Sequence, residues 1–128
     1  MNILVVDDDE DDRKLFFETT REIDSSINCI EAVSAQDALV YLRGVDHALP
    51  DYIFLDLRMP GLSGQDCLKE IKKDARLAPV PVIVYTTSRD EKEALVLKGL
   101  GAAHFMSKPV FPDDVFYMIS FVLGEKWS

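Results

Sequence analysis

The chain has 128 residues, of which 48% are hydrophobic and 29% charged, with a formal net charge of −9. That size fits one domain with one core over residues 1–128, and the composition is globular rather than disordered. The negative charge makes nucleic acid and anionic membrane surfaces poor partners and leaves a cation or a basic protein surface as better ones.

Six acids in a row, Asp7 to Asp12, sit directly behind the apolar run Ile3–Val6. Such a block on its own is usually a solvated face, but here it abuts what reads as a buried strand. A helical pattern follows over Asp11–Ile23, then an apolar run over Ile27–Val33 and a helix over Ala35–Leu42. Ser34-Ala35-Gln36-Asp37 forms a capping-box-like start, and Ala38, Leu39 and Leu42 supply the apolar stripe. Gly44 falls where a helix end favours a left-handed residue. A third run, Tyr52–Leu55, is broken by Pro60-Gly61 before a helix over Gln65–Lys73. A fourth run, Val80–Tyr85, precedes a helix over Glu91–Gly99, with Gly99 as a second left-handed stop. The fifth run, Ala102–Met106, leads through Pro112-Asp113-Asp114, an N1-like proline with acids for the dipole, into a helix over Asp113–Leu123. Several runs are continuously apolar, as expected of strands covered on both faces. Five β–α units imply a doubly wound parallel sheet with helices on both faces, which binds ligands at the carboxyl ends of its strands.

The first polar residues after the runs are therefore the informative ones. They are Asp7 and Asp8, then Asp56, then Thr86, Thr87 and Ser88, then Ser107, Lys108 and Pro109, while the second run contributes only Ser34. If the first, third, fourth and fifth strands are neighbours, three carboxylates, a hydroxyl and one ammonium converge. Carboxylates so close raise one another's proton affinity, and a divalent cation relieves the repulsion. All-oxygen ligation suits Mg²⁺ with a substrate phosphate. An Asp can act as a nucleophile and carry an acyl phosphate, and Lys108 can face a phosphoryl oxygen.

At this point the chain resembles the receiver domain of two-component response regulators. The matching motifs are Val5-Val6-Asp7-Asp8, Leu55-Asp56-Leu57-Arg58-Met59-Pro60-Gly61, Val84-Tyr85-Thr86-Thr87 and Ser107-Lys108-Pro109, in order and over essentially the whole chain. The resemblance implies a flavodoxin-like (β/α)5 fold with strand order 2-1-3-4-5. It implies a regulatory protein, not an enzyme beyond self-phosphotransfer and autodephosphorylation, that takes a phosphoryl group from a histidine kinase onto Asp56. Asp8, Asp56 and the main-chain carbonyl of Arg58 would ligate Mg²⁺, with Asp7 holding a metal-bound water. Thr86 and Lys108 would bind phosphoryl oxygens, and Phe105 stands where the family places an aromatic switch residue, often Tyr. Arg58 and Ser88 fall at positions that tune phosphoryl lifetime, and Arg58 is expected to shield or pair with the phosphoryl group. Tyr85-Thr86-Thr87-Ser88 is also similar to small regulators serving bacterial phytochrome-type kinases. Output would pass to a downstream protein target by contact.

Other readings compete residue by residue. Asp7-Asp8-Asp9 offers the Asp-x-Asp of a haloacid-dehalogenase-type phosphatase using Asp7, but Asp11 stands where that signature wants Thr or Val, and the chain leaves no room for a cap. Asp7, Asp9, Asp11 and Glu18 mimic calcium-loop spacing, but Asp12 occupies the position that requires Gly. Any of Thr86, Thr87 and Ser88 could cap the fourth helix. Cys29 and Cys67 are too few and too far apart for a disulfide framework or a zinc site and read as ordinary thiols. His47 and His104 lack partners at ligand spacing, and Met59 reads as loop packing. No run approaches the roughly 18 apolar residues of a membrane span, and Met1-Asn2 leads into the first run with no basic start, so a cytoplasmic protein is expected. The last helix is apolar nearly all round, through Val115, Phe116, Met118, Ile119, Phe121, Val122 and Leu123. Either it is buried under Trp127 and the tail, or, as favoured here, it exposes an apolar strip for docking or for a homodimer through the fourth-to-fifth-helix face.

Overall fold

The computed structural model describes residues 1–125. Five strands alternate with five helices: β1 (Asn2–Val6), α1 (Glu10–Ile23), β2 (Asn28–Ala32), α2 (Ala35–Arg43), β3 (Tyr52–Leu55), α3 (Gly64–Lys73), β4 (Val82–Thr86), α4 (Glu91–Gly99), β5 (His104–Ser107) and α5 (Asp114–Gly124). All pairings are parallel, in the order β2-β1-β3-β4-β5. The chain's direction of winding reverses at β1, which lies between β2 and β3, so the switch point falls where Asp7 and Asp56 leave adjacent strands.

The continuous apolar runs are explained by two cores, one on each face of the sheet. Leu4, Val6, Ile53, Leu55, Val82 and Val84 pack with Leu39 and Leu42 of α2, Leu68 and Ile71 of α3, and Leu97 of α4. Their strand neighbours Ile3, Val5, Phe54, Ile83, Tyr85 and Met106 pack with Phe16 of α1 and with Val115, Ile119 and Val122 of α5. Successive side chains point to opposite faces, so a strand buried on both faces has no polar position to offer. Phe16 meets the Phe54 ring edge-on at 4.8 Å, and each such fully buried side chain contributes about 1.5–3 kcal/mol.

Local signals set the helix starts. Asp9, Ser34 and Ser63 each accept a hydrogen bond from a backbone N–H of the first turn, that of Asp12, Asp37 and Asp66 respectively, which satisfies a donor the helix leaves unpaired. α4 is capped by Asp90, which accepts from the Lys92 N–H, and not by Thr86, Thr87 or Ser88. α5 starts at Asp114 after an Asp113 cap without a side-chain bond, so Pro112 precedes the helix instead of standing at its first position.

Several expected boundaries shift for identifiable reasons. β4 begins at Val82 because Pro81 has no N–H to give the ladder, although its carbonyl accepts from Ile53. β5 begins at His104 because the chain first turns through Gly101, whose φ is +109°. Gly101, not Gly99, is thus the left-handed residue after α4, and Gly99 stays helical. Gly44 is extended, with φ −65° and ψ 146°. β2, on the sheet edge, is shorter than its apolar run, and Val33 is exposed.

α5 buries one stripe, through Val115, Ile119 and Val122, and leaves Tyr117 70% and Phe121 52% exposed. α5 thus exposes apolar side chains as expected, and Leu95 and Val96 of α4 and Val110 and Phe111 of the β5–α5 loop are exposed as well. Trp127 lies outside the described residues. No described helix is long and apolar enough to cross a membrane.

Candidate functional site

Three loops at the carboxyl edge of the sheet bring the polar residues together. The β1 ladder extends past its last residue, with the Asp7 N–H donating to Ala32 O at 3.0 Å and the Asp56 N–H to Val6 O at 2.9 Å. These bonds set Asp7 and Asp56 side by side at the ends of two central strands. Both are buried, whereas Asp8 is exposed. One carboxylate oxygen from each of Asp7, Asp8 and Asp56 lies within 4.8 Å of the others. Such a set is electrostatically unfavourable unless a cation shares it, and three hard oxygen donors suit a small divalent ion.

Lys108 supplies the cation that the described residues bring to the Asp7 and Asp56 carboxylates. Its Nζ donates to Asp7 Oδ2 and Asp12 Oδ2, each at 2.7 Å, and lies 3.4 Å from Asp56 Oδ2. It stands over the Tyr85 ring, 5.8 Å from the centroid. Burial works to lower the ammonium's pKa, but hydrogen bonds to Asp12 and Asp7 and the charges of Asp7 and Asp56 outweigh it and raise it above the usual lysine range. Burial raises the Asp7 carboxyl to about 6, against the pull of Lys108 and of the Asp9 N–H.

Thr86 ends β4, beside β3 in the sheet. It is fully buried, and its Oγ1 has no hydrogen-bond partner among the described residues. A buried hydroxyl without a partner costs about 1–3 kcal/mol, which is tolerated where a ligand completes the bond. The Lys108 N–H donates to Thr86 O at 2.6 Å, tying the β4 and β5 ends together. Two more bonds join these loops: Ser107 Oγ to Ser88 O at 2.7 Å and Arg89 to Lys108 O at 3.0 Å. Phe105 is half-buried against the α2–α3–α4 core. Met59 packs in the same core. His47 stacks on Tyr41 at 4.0 Å, outside the acidic set.

The Arg58 side chain reaches toward α4. Its guanidinium is exposed and faces Glu93 of α4 at 3.8 Å, so it links the β3–α3 loop to α4 in this structure.

Three residues of the site are not marked by strand-end reasoning. Asp12, which reads as a helix-start acid, turns its carboxylate to Lys108. Arg13, nearly buried, donates from Nη1 to Asp7 O at 2.8 Å and from Nε to Glu31 at 3.3 Å, which pins the loop carrying Asp7. Gly64 packs under the Asp56–Leu57 backbone so closely that a Cβ would lie 2.3 Å from Asp56 O. The only sequence signal for Gly64 is a glycine directly after a helix-capping Ser63.

Comparison with known proteins bears on the family and the fold. The family model described as the response regulator receiver domain matches residues 3–120. The response regulator Rcp1 of Synechocystis is 31% identical over 121 residues, covering 91% of this chain and 82% of that protein. The crystal structure of the phosphorylated cyanobacterial phytochrome response regulator RcpA superposes with a TM-score of 0.87 at 27% identity, covering 94% of this chain and 89% of that one. The Mn(2+)-bound form of Rcp1 superposes with a TM-score of 0.86 at 27% identity, covering 94% and 90%. Matched segments span 62%, 66% and 51% of three further curated relatives.

Proposed function

This chain belongs to the response regulator receiver domain family, and from that premise we propose that it is a phosphoacceptor signalling protein whose Asp56 takes a phosphoryl group from a histidine kinase in a Mg²⁺-dependent reaction. The observation that carries the proposal is the composition of the Asp56 surroundings: two further carboxylates within 4.8 Å, an ammonium at 3.4 Å and, on the neighbouring strand, a buried hydroxyl without a partner among the described residues.

In the transfer, an Asp56 carboxylate oxygen attacks the phosphorus of a phosphohistidine. An O–P bond forms as the P–N bond breaks, and the electron pair returns to the imidazole nitrogen. Asp8, Asp56 and the Arg58 carbonyl would hold Mg²⁺, with Asp7 reaching it through a water. Bound there, the ion supplies neutralisation of the charge on the transferring oxygens. Lys108 and the Thr86 hydroxyl would each take a phosphoryl oxygen. Thr86 and Lys108 share a backbone bond, so drawing them inward biases β4, β5 and the half-buried Phe105 together, a population shift. Phe105 has no hydroxyl, so any hydrogen bond that a Tyr ring would make there is absent. Arg58 and Ser88, two residues past Asp56 and Thr86, would tune the phosphoryl lifetime.

The output surface would be the apolar α4–β5–α5 face, which takes a downstream protein target or forms a homodimer. The similarity to Rcp1 and RcpA supports a phytochrome-type kinase as donor. A cytoplasmic location fits such a partner, and the charge of −9 disfavours nucleic acid.

The test is phosphotransfer from histidine kinases of the source organism to wild type and to Asp56→Asn. Expected is a hydroxylamine-sensitive label on wild type that is lost in Asp56→Asn and requires Mg²⁺. Equal labelling of both forms, or loss of label in Asp7→Asn with Asp56→Asn still labelled, would overturn the proposal. The second result is the one a dehalogenase-type nucleophile at Asp7 requires.

A further inference from the structure

An ammonium has three protons to donate, and Lys108 directs two of them to oxygens that carry no phosphoryl group in the proposed reaction. Its contacts with Asp7 and Asp12 are both 2.7 Å, while Asp56 lies at 3.4 Å. Asp7 has a further use beside the metal, but Asp12 has none. Asp12 sits in the first turn of α1, and its side chain is 37% exposed, against 9% for Lys108. Its backbone is held independently: the Asp12 N–H donates to the Asp9 carboxylate at 3.1 Å, and Arg13 beside it is tied to Asp7 O and Glu31. The Asp12 carboxylate can therefore let go of Lys108 while the helix start stays in place.

We propose that Asp12 is a positioning residue of the phosphoryl site. In the unphosphorylated protein its carboxylate draws the Lys108 ammonium toward α1 and away from Asp56, and it gives up that ammonium when Asp56 carries a phosphoryl group. The inference rests on the phosphoacceptor role of Asp56. Phosphorylation replaces one carboxylate at Asp56 with a group of higher negative charge and three strong acceptor oxygens. That group outcompetes a half-exposed carboxylate for one lysine. The competition is paid at every turnover, because the bond to Asp12 breaks before Lys108 reaches a phosphoryl oxygen.

The test is the initial rate of Asp56 labelling by phosphoramidate at saturating Mg²⁺, in wild type, Asp12→Asn, Lys108→Ala and the double variant. Removing a partly exposed ion pair is expected to raise the rate about two- to fivefold in Asp12→Asn, with no further change when Asp12→Asn is added to Lys108→Ala. An Asp12→Asn rate equal to or below wild type overturns the inference. So does an equal gain in the Lys108→Ala background, which would mean that Asp12 acts through its charge on the donor and not through Lys108. A second readout needs no turnover: the ¹⁵N-ammonium signal of Lys108 in unphosphorylated protein is sharp in wild type and broadens by faster exchange in Asp12→Asn, and an unchanged signal overturns the inference. Wild type that takes no label at all fails the phosphoacceptor role itself and the inference with it, a result distinct from the others.

Discussion

Gly64→Ala adds one methyl group and is predicted to damage both stability and the site. The new carbon would lie 2.3 Å from Asp56 O and 2.6 Å from Leu57 Cα, about 1 Å inside ordinary contact distance. Both neighbours are main-chain atoms, so no rotamer change relieves the clash, and either α3 or the strand end must move. The Gly64 N–H also donates to Leu57 O at 3.1 Å, so movement strains that bond as well. Overpacking of this kind destabilises by about 1–3 kcal/mol, or about 4–12 °C in Tm for a domain of this size. Because the displaced backbone carries Asp56, phosphoramidate labelling should fall with it, even at temperatures where the variant is folded. Gly99→Ala is the control, since nothing lies within 4 Å of a Cβ there; it should be neutral or stabilising by up to about 1 kcal/mol. Urea melts monitored by circular dichroism, with labelling at 10 °C, check both effects. A Gly64→Ala protein that melts and labels like wild type would refute the packing argument.

Three further predictions follow from the same geometry. Asp7 titrates near 6 because it is buried, above its unfolded value of 3.8. Its contribution to stability is therefore fully present below that unfolded value and is lost as pH rises through about 6; Mg²⁺ binding, which needs the ionised form, should weaken up to about tenfold per pH unit below 6, as titration calorimetry at pH 5 and pH 7 will read, and equal affinity at both would refute it. Arg58→Ala removes an exposed pair to Glu93, so unfolding free energy should change by less than about 1 kcal/mol, while the dephosphorylation rate changes; an unchanged rate would exclude a phosphoryl role for Arg58. The exposed Tyr117 and Phe121 should give a dimer on phosphorylation that Phe121→Glu abolishes, with salt favouring the dimer by screening the net charge of −9; light scattering that shows a monomer at high concentration in both states would count against self-association.

What was legible in the sequence was local or periodic. Runs such as Tyr52–Leu55 are apolar at every position because both faces of a central strand are covered, and the five runs with their helices between them are enough to imply a parallel sheet. The first polar residue after each run then marks the sheet edge, which is why Asp7, Asp8, Asp56, Thr86 and Lys108 stand out in the sequence. Helix starts with side-chain caps, such as Ser34, were readable for the same reason. Boundaries failed where a turn residue a few positions away decided them, as with Pro81 before β4 and Gly101 before β5.

Partner choice within the site was not legible. Lys108 lies 101 residues from Asp7 and 96 from Asp12, and no periodicity selects between acids that stand five apart at one helix start. Arg58 turns to Glu93 of α4 because that is where the packed helix puts a carboxylate. Gly64 matters because α3 starts against the Asp56–Leu57 backbone, and Phe121 is exposed because, among the described residues, α5 turns only its Val115–Ile119–Val122 stripe inward. Sequence patterning determined the order of elements and the edge on which the chemistry sits, since both follow from which side chains avoid water. Only the tertiary structure decided the distances and pairings at that edge, because they depend on how separate elements close on one another in space.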